Sequence, residues 1–409
     1  MGGGLWTVRR FPKRLVCVIE KEGFVGAHQS SHNSGVIHAG MYYPVGSAMA
    51  NTCVEGAALL YEFCKEHDVL HDRVGKLIVA SNLEEHDTVS LLYARGIANG
   101  VKGLEILNQD QIKALEPNVR GHSALYSPNT GIVDFADVCR VLARLVQSHE
   151  GDVITNFCVD KIDPISTASG RSEVLIHGKE LGQLGPQKEV HAKYVISCCG
   201  LQSDFIGSKN GGSKDPKIVP FRGTYYQMKP EYKDIVKMNV YPVPTSGGIP
   251  VGVHFTPYLS RDRGYQVIVG PGACMSFARE GYSFFDINFG DVLVNMMNLG
   301  LWRFVIKNFD LAFGELYRDL NKKAFLKSAR KLIPDLKEDM TEESFSGVMA
   351  QVFHSNGKTA EDYIIERGAL GGTTMHLRNA PSPAATASLA IGRKLIEIGS
   401  QDFNWSSTH

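Results

Sequence analysis

Two short runs constrain the fold more than anything else in the chain. Leu15-Val16-Cys17-Val18-Ile19 and Tyr194-Val195-Ile196-Ser197-Cys198-Cys199-Gly200 are almost continuously apolar. They lack the in–out alternation of a half-solvated strand. Such a run predicts a strand buried on both faces, as in a parallel sheet covered by helices. Cys198 and Cys199 then read as core residues. The first run closes on Glu20-Lys21-Glu22 and the second on Gly200, followed by Leu201-Gln202-Ser203-Asp204. An acid ending such a strand can accept hydrogen bonds from ribose hydroxyls. A strand–Gly–helix junction places backbone N–H groups where a phosphate or ribose can sit. Each also has a plain reading, a surface acid and an ordinary βα turn. A dinucleotide fold further needs a first strand and a Gly-rich turn. Gly2-Gly3-Gly4 can be a remnant of that turn, but the GxGxxG pattern is absent. Residues 1–19 carry Arg9, Arg10, Lys13 and Arg14 and no acid. That composition suits a mitochondrial targeting segment or a minimal crossover helix. The helix is favoured, because a strand follows without a spacer.

The nine residues His32-Asn33-Ser34-Gly35-Val36-Ile37-His38-Ala39-Gly40, with Tyr42 and Tyr43 behind them, are the densest polar cluster. They are too polar and glycine-rich for a core strand and too apolar for a solvated loop. Glycines let backbone approach a flat or anionic ligand closely, and the polar groups can orient it. A buried turn with structural histidines is the competing reading.

Periodicity predicts helices over 48–67, 83–99, 108–115 and 138–149, the last with Asp134 or Asp137 at its start. Gly75–Ala80 reads as a strand, and 164–189 as a hairpin. From Ile218 onward, runs at 220–228, 239–241, 252–255 and 266–270 are punctuated by Pro and Gly and read as an antiparallel sheet. Residues 288–332 read as helical. Within them 292–309 is very apolar; it can rest on a membrane surface, but core packing is the expectation adopted. Phe345–Val352 and Tyr363–Ile365 read as strands, and a helix follows the small residues and prolines at 380–388, where a helix N-terminus favours an anion or carbonyl oxygen.

Composition narrows the function. Lys+Arg and Asp+Glu are both 43, so no basic field for nucleic acid exists. Eight cysteines without CxxC pairs form no metal or disulfide framework. At 409 residues, two domains or one large α/β domain are expected.

In order along the chain, Glu20-Lys21-Glu22, His32–Gly40 with Tyr42-Tyr43, Gly75–Val79, Thr130–Asp134, Val219-Pro220-Phe221-Arg222-Gly223, Tyr241–Pro244, Gly252–Pro257 and Arg378–Thr386 resemble the FAD-dependent L-2-hydroxyglutarate dehydrogenases, D-amino-acid-oxidase-like flavoproteins. The resemblance implies an α/β (α+β) fold: a glutathione-reductase-type FAD-binding, Rossmann-like domain with an inserted mixed or antiparallel-sheet substrate domain. The expected division is 1–75, 120–215 and 340–400 for FAD, and 76–119 and 216–339 for substrate. It implies oxidation of L-2-hydroxyglutarate to 2-oxoglutarate by hydride transfer to FAD. A quinone or electron-transfer protein is the implied acceptor. Mitochondrial location with peripheral inner-membrane contact is also implied. Glu20 is expected at the adenosine ribose. His32, Asn33, Ser34, Gly35, Gly40, Gly200, Asn379, Ser382 and Ala384 are expected around the cofactor. His38 or His254, with His376 third, is the expected base, since an imidazole titrates near working pH. Arg222, helped by Tyr225 or Arg378, is expected to pair a substrate carboxylate. A structural role for each histidine and an interdomain ion pair for Arg222 are the plain alternatives. The family has Gly-Val-Arg-Ala-Gln where this chain reads Gly347-Val348-Met349-Ala350-Gln351, so a carboxylate-binding arginine is replaced by methionine. A catalytically silent FAD-poor relative, and a sister oxidase of another 2-hydroxy or 2-amino acid, are the alternative functions.

Overall fold

The computed structural model describes residues 1–166, 172–182, 186–244 and 252–405. The tip of the expected 164–189 hairpin lies outside them. In chain order the elements are α1 (Gly2–Arg10), β1 (Cys17–Ile19), β2 (Val36–Ile37), α2 (Ala48–Glu66), β3 (His71–Asp72), β4 (Lys76–Ala80), α3 (His86–Ala98), β5 (Glu105–Asn108), α4 (Gln109–Leu115), β6 (Ser123–Ser127), β7 (Gly131–Val133), α5 (Phe135–Ser148), β8 (Asp152–Ile154), β9 (Cys158–Ser166), β10 (Ser172–Lys179), β11 (Lys188–Ala192), β12 (Val195–Ser197), α6 (Ser203–Lys209) and β13 (Lys217–Met228). Then come β14 (Asn239–Pro242), β15 (His254–Ser260), β16 (Gly264–Gly270), β17 (Cys274–Met275), α7 (Phe289–Met296), α8 (Leu299–Lys307), α9 (Phe309–Leu320), α10 (Lys322–Ala329), β18 (Thr341–Phe353), β19 (Ile365–Gly368), the turn α11 (Ala369–Gly372), β20 (Thr374–Leu377) and α12 (Ser388–Asp402).

A nine-stranded sheet dominates, in the order β17-β13-β16-β15-β14-β4-β6-β5 with β18 on β13. It is mixed: β14 and β4 run parallel and most other pairs antiparallel. One face carries Leu77, Val79, Val240, Phe255, Val267 and Val269, packed with Tyr226, Phe325 and Leu326 into the largest core cluster. The alternate residues point to the other face. Smaller sheets flank it. β1 pairs β8 in parallel. β12 pairs β20 in parallel. The β9–β10 hairpin continues to β11.

Local signals fix several ends. Asp134 caps α5 by accepting from Asp137 N at 3.1 Å. Asn108 and Gln111 close a capping box on α4. The three N-terminal glycines form the first turn of α1, not a turn before it. They permit close packing: a Cβ on Gly4 would lie 3.0 Å from Val18 Cγ2, and one on Gly2 2.8 Å from Ser388 O.

Three expectations need correction. Leu15, before β1, is 97 % exposed and Cys17 is exposed, so packing does not cover both faces of this run. Cys198 and Cys199, just past the end of β12, are exposed as well. The apolar 292–309 segment is not core. Its helices are apolar around much of their circumference, and only Asn295, Gly300 and Leu301 are buried in α7 and α8.

Candidate active site

The face of the large sheet opposite its main core carries the site. Period-2 alternation places Lys76 of β4, Tyr241 of β14, and His254, Thr256 and Tyr258 of β15 on that face, because their neighbours Leu77, Val240 and Phe255 face the core. The segment 36–43 packs over them: Ala39, Met41 and Tyr42 share a cluster with Ile78 and Ala80 of β4. Tyr241 stacks on His254, ring centroids 3.8 Å apart and planes 17° apart. His254 Nδ1 lies 3.1 Å from Thr256 Oγ1. His38 Nε2 lies 3.4 Å from Ser382 Oγ, and its backbone N donates to Thr386 Oγ1 at 3.0 Å. Burial, reinforced by Lys76, pushes the His38 imidazole down to about 3. Burial, Lys76 and His38 push His254 the same way. Both rings are therefore neutral near pH 7. Burial pushes up the phenols of Tyr225 and Tyr241, which lie near Ser34.

Lys76 was not expected here, although it stood inside a family-like block. It is 1 % exposed, and its Nζ has no hydrogen-bond partner among the described residues. The ammonium lies 3.3 Å from the Tyr241 ring centroid and 4.7 Å from that of Tyr42. The available signal was a lysine opening an otherwise apolar strand, Lys76-Leu77-Ile78-Val79-Ala80, all five of which are buried.

The groups expected at the nucleotide gather at the tips of β1 and β12. Glu20 ends β1, and its carboxylate influences Cys139 and Cys199. The chain's amino group influences Cys139 and Cys198, so α1 starts between these two tips. No side chain caps that helix N-terminus. Gly200 has φ +53°, and a Cβ there would meet Gln29 Oε1 at 2.8 Å. Gly35 and Gly40 are also left-handed, at φ +69° and +105°. An acid, an uncapped helix start and a left-handed glycine at parallel-strand tips fit the ribose and phosphate part of FAD. The neutral histidine and tyrosine groups fit its ring end.

Other expected groups are spent elsewhere. Asn33 Nδ2 donates to Gln29 O and Ser30 O, and its Oδ1 accepts from Gly35 N at 2.7 Å, so it shapes the loop. The His32 ring packs on Tyr282, 4.3 Å between centroids. Asn379 holds Ile364 N and Asp362 O, while Asp362 accepts from the first two N–H groups of α2. Ala384 donates its backbone N to Pro381 O at 2.9 Å.

Both arginines and the third histidine have partners away from that cluster. Arg222 shares the core-side face with Tyr226, while Tyr225 faces the site. Its guanidinium is ion-paired with Asp319 of α9, which also accepts from Thr224 Oγ1 at 2.9 Å. Arg378 is buried beside α6 and paired with Glu366. His376 is fully buried in β20, with Nδ1 2.7 Å from Ser197 Oγ. Its charged neighbours are Glu366 and Arg378, not Lys76. Met349 pairs with Phe221 across β13 and β18 and shares a face with Phe345 and Gly347.

Glu22, His28 and Glu280 bring ligand-type atoms within 4.8 Å of one another. Lys21 already lies in the cluster, 2.5 Å from Glu22 and 2.8 Å from Glu280. The group therefore reads as a closed ion network rather than a metal site.

Comparison with known proteins agrees with this architecture. The family model described as FAD dependent oxidoreductase matches residues 4–398. The chain is 41 % identical to a protein of Nematostella vectensis named mitochondrial L-2-hydroxyglutarate dehydrogenase, covering 98 % of this chain and 89 % of the relative. The Homo sapiens protein of the same name is 39 % identical, with 97 % and 85 % covered. Among solved structures, FAD-bound L-alpha-glycerophosphate oxidase from Mycoplasma pneumoniae superposes with a TM-score of 0.75 at 23 % identity, covering 100 % of this chain and 92 % of that one. Glycine oxidase from Geobacillus kaustophilus gives 0.65 at 17 %, with 98 % and 90 % covered. The chain belongs to the FAD-dependent oxidoreductases, and within them to the L-2-hydroxyglutarate dehydrogenase family.

Proposed function

We propose that this protein oxidises L-2-hydroxyglutarate to 2-oxoglutarate. The observation that carries the reading is the pair of neutral, buried histidines. His38 and His254 come from distant parts of the chain to one cluster with Tyr241 and Lys76. A neutral imidazole is the form that can take the hydroxyl proton. His254 is our choice of base. Its Nδ1 lies 3.1 Å from Thr256 Oγ1, and in the tautomer that donates there Nε2 keeps the free lone pair. His38, beside Ser382, is the alternative. Tyr225 and Tyr241, both near Ser34, wall the substrate position. We assign Glu20 and Gly200 to the nucleotide end and Ser34, Gly35, Gly40 and Ser382 to the ring end. Bound FAD supplies the hydride acceptor.

Segments 1–75, 120–215 and 340–400 are our FAD-binding unit. The strands β6 and β18 within those limits hydrogen-bond into the large sheet.

The electron acceptor we propose is a quinone or an electron-transfer protein at the mitochondrial inner membrane, reached by peripheral contact. The support is the apolar surface of α7–α9 and the loop before it. Phe285 and Phe289 are 82 % and 84 % exposed, and Leu293, Met296, Leu299, Ile306, Phe309 and Phe313 are exposed with them. No helix among the described residues is long and apolar enough to cross a membrane. Such a surface suits interfacial insertion.

The test is anaerobic titration of the purified holoenzyme. L-2-hydroxyglutarate is expected to bleach the visible flavin spectrum and yield one 2-oxoglutarate per flavin. A preparation that stays colourless after FAD addition sinks the enzyme reading. Flavin bleached by another 2-hydroxy or 2-amino acid, but not by this one, establishes the sister oxidase instead.

A further inference from the structure

Lys76 is a buried amine without a counter-ion among the described residues. The groups that face it from the packed elements are Tyr42 of the 38–43 segment, Cys53 of α2, Tyr241 of β14, His38 and His254. None is an acid. Burying an ammonium without a hydrogen-bond partner is costly. The two aromatic faces return only part of that cost. The site is therefore built for an anion that arrives from outside. It also adjoins the two histidines proposed to handle the hydroxyl proton, and a 2-hydroxy acid carries its carboxylate one bond from the hydroxyl-bearing carbon. The arginines expected to pair a carboxylate are not free to compete. Arg222 and Arg378 are neutralised by Asp319 and Glu366, and Met349 carries no charge.

We propose that Lys76 binds a carboxylate of the substrate and so selects 2-hydroxy acids by their anionic end. The proposal rests on the functional reading above. Burial pushes the Lys76 ammonium well down while the site holds no anion. A bound carboxylate reverses that, since an opposite charge favours the charged form. Binding then draws a proton from solvent onto Nζ.

The experiment uses the FAD-loaded enzyme and its Lys76→Met and Lys76→Arg variants. Affinity for 2-oxoglutarate is read from the flavin difference spectrum. Proton uptake is read by calorimetry in two buffers of different ionisation enthalpy. Lys76→Met is expected to weaken 2-oxoglutarate by about 10- to 100-fold and to abolish the uptake. Flavin content and reduction potential should stay near wild type, and Lys76→Arg should recover part of the affinity. Unchanged affinity in Lys76→Met overturns the proposal. So does a lowered reduction potential with unchanged affinity, which would make Lys76 a counter-ion of the reduced cofactor. Should Lys76→Met fail to fold, the wild-type enzyme decides. 2-Oxoglutarate must slow amine modification of Lys76 at least tenfold by peptide mapping, and no protection refutes the assignment. Wild type bleached by L-2-hydroxyglutarate, with an unaffected Lys76→Met, removes the Lys76 role alone. Wild type that neither binds 2-oxoglutarate nor is bleached removes the underlying function as well.

Discussion

The Arg222–Asp319 pair offers the sharpest test of the site's boundaries. Asp319 has a fully buried side chain, and Arg222 is 8 % exposed at its side chain. Removing one partner leaves a buried charge, which costs about 3–5 kcal/mol. Asp319→Leu strands the guanidinium. Arg222→Met strands the carboxylate, which keeps the Thr224 hydroxyl as a donor. Replacing both removes the two charges together, and such swaps are often neutral. The double variant should therefore melt near wild type and well above either single variant. The coupling is expected at about 3 kcal/mol, the upper end for contacting residues. The companion assay is steady-state oxidation of L-2-hydroxyglutarate. If Arg222 is structural, the double variant keeps KM within about twofold, since that ratio is worth well under 1 kcal/mol. A double variant that melts normally but shows KM raised tenfold or more would refute the reasoning. Arg222 would then reach the substrate despite its partner and its face of the sheet.

Three further outcomes follow from particular contacts. His38 has a folded pKa of about 3 against an ordinary 6.5. The unfolded chain therefore binds a proton that the folded one refuses, so its contribution is full above about pH 6.5 and is lost as pH falls toward 3; His38→Asn should flatten the acid limb of the urea midpoint, and an unchanged limb counts against a buried neutral ring. A Cβ on Gly347 would lie 2.3 Å from His32 O, so Gly347→Ala must shift the backbone of the 28–35 loop; a loss of about 1–3 kcal/mol and faster flavin release in gel filtration are expected, and wild-type retention would show the loop to be more yielding. Met349→Arg adds a cation on the face that carries Phe345 and Gly347; KM should fall at least about fivefold, consistent with a charged hydrogen bond, and no fall removes the carboxylate argument for this position.

Much of the scaffold was legible because local signals and burial agreed. Asp134 and Asn108 announced helix starts that the folded chain uses. Gly75 opened a strand whose five residues are all buried. The site was less legible where a strand is apolar on both faces. Along Pro220–Met228 the sequence does not say which parity faces the cleft, so Arg222 and Tyr225 looked equally available. Only the pairing of Tyr226 with Val269 on the core side separates them. Arg378 failed for another reason. Its partner Glu366 lies on the neighbouring strand, and one sequence does not announce that ion pair. The helices α7–α9 misled through their composition, because an apolar circumference reads as core whether protein or another medium covers it.

The distribution of charge explains how one cleft can suit an oxidation that starts from an anion. Every arginine expected there is matched by an acid outside it: Arg222 by Asp319, Arg378 by Glu366. Two acids beside the 28–35 loop, Glu22 and Glu280, are held by Lys21 and His28. The groups gathered between β4, β14, β15 and the 36–43 segment include no acid, and Lys76 is the one amine among them. An amine among uncharged aromatic and imidazole groups, with no acid beside it, gives the site a definite electrostatic preference. Burial keeps both imidazoles neutral, and a carboxylate that binds beside Lys76 favours the charged form of its amine. The anion and the ammonium then offset one another, so the histidines stay neutral beside the hydroxyl they are proposed to deprotonate.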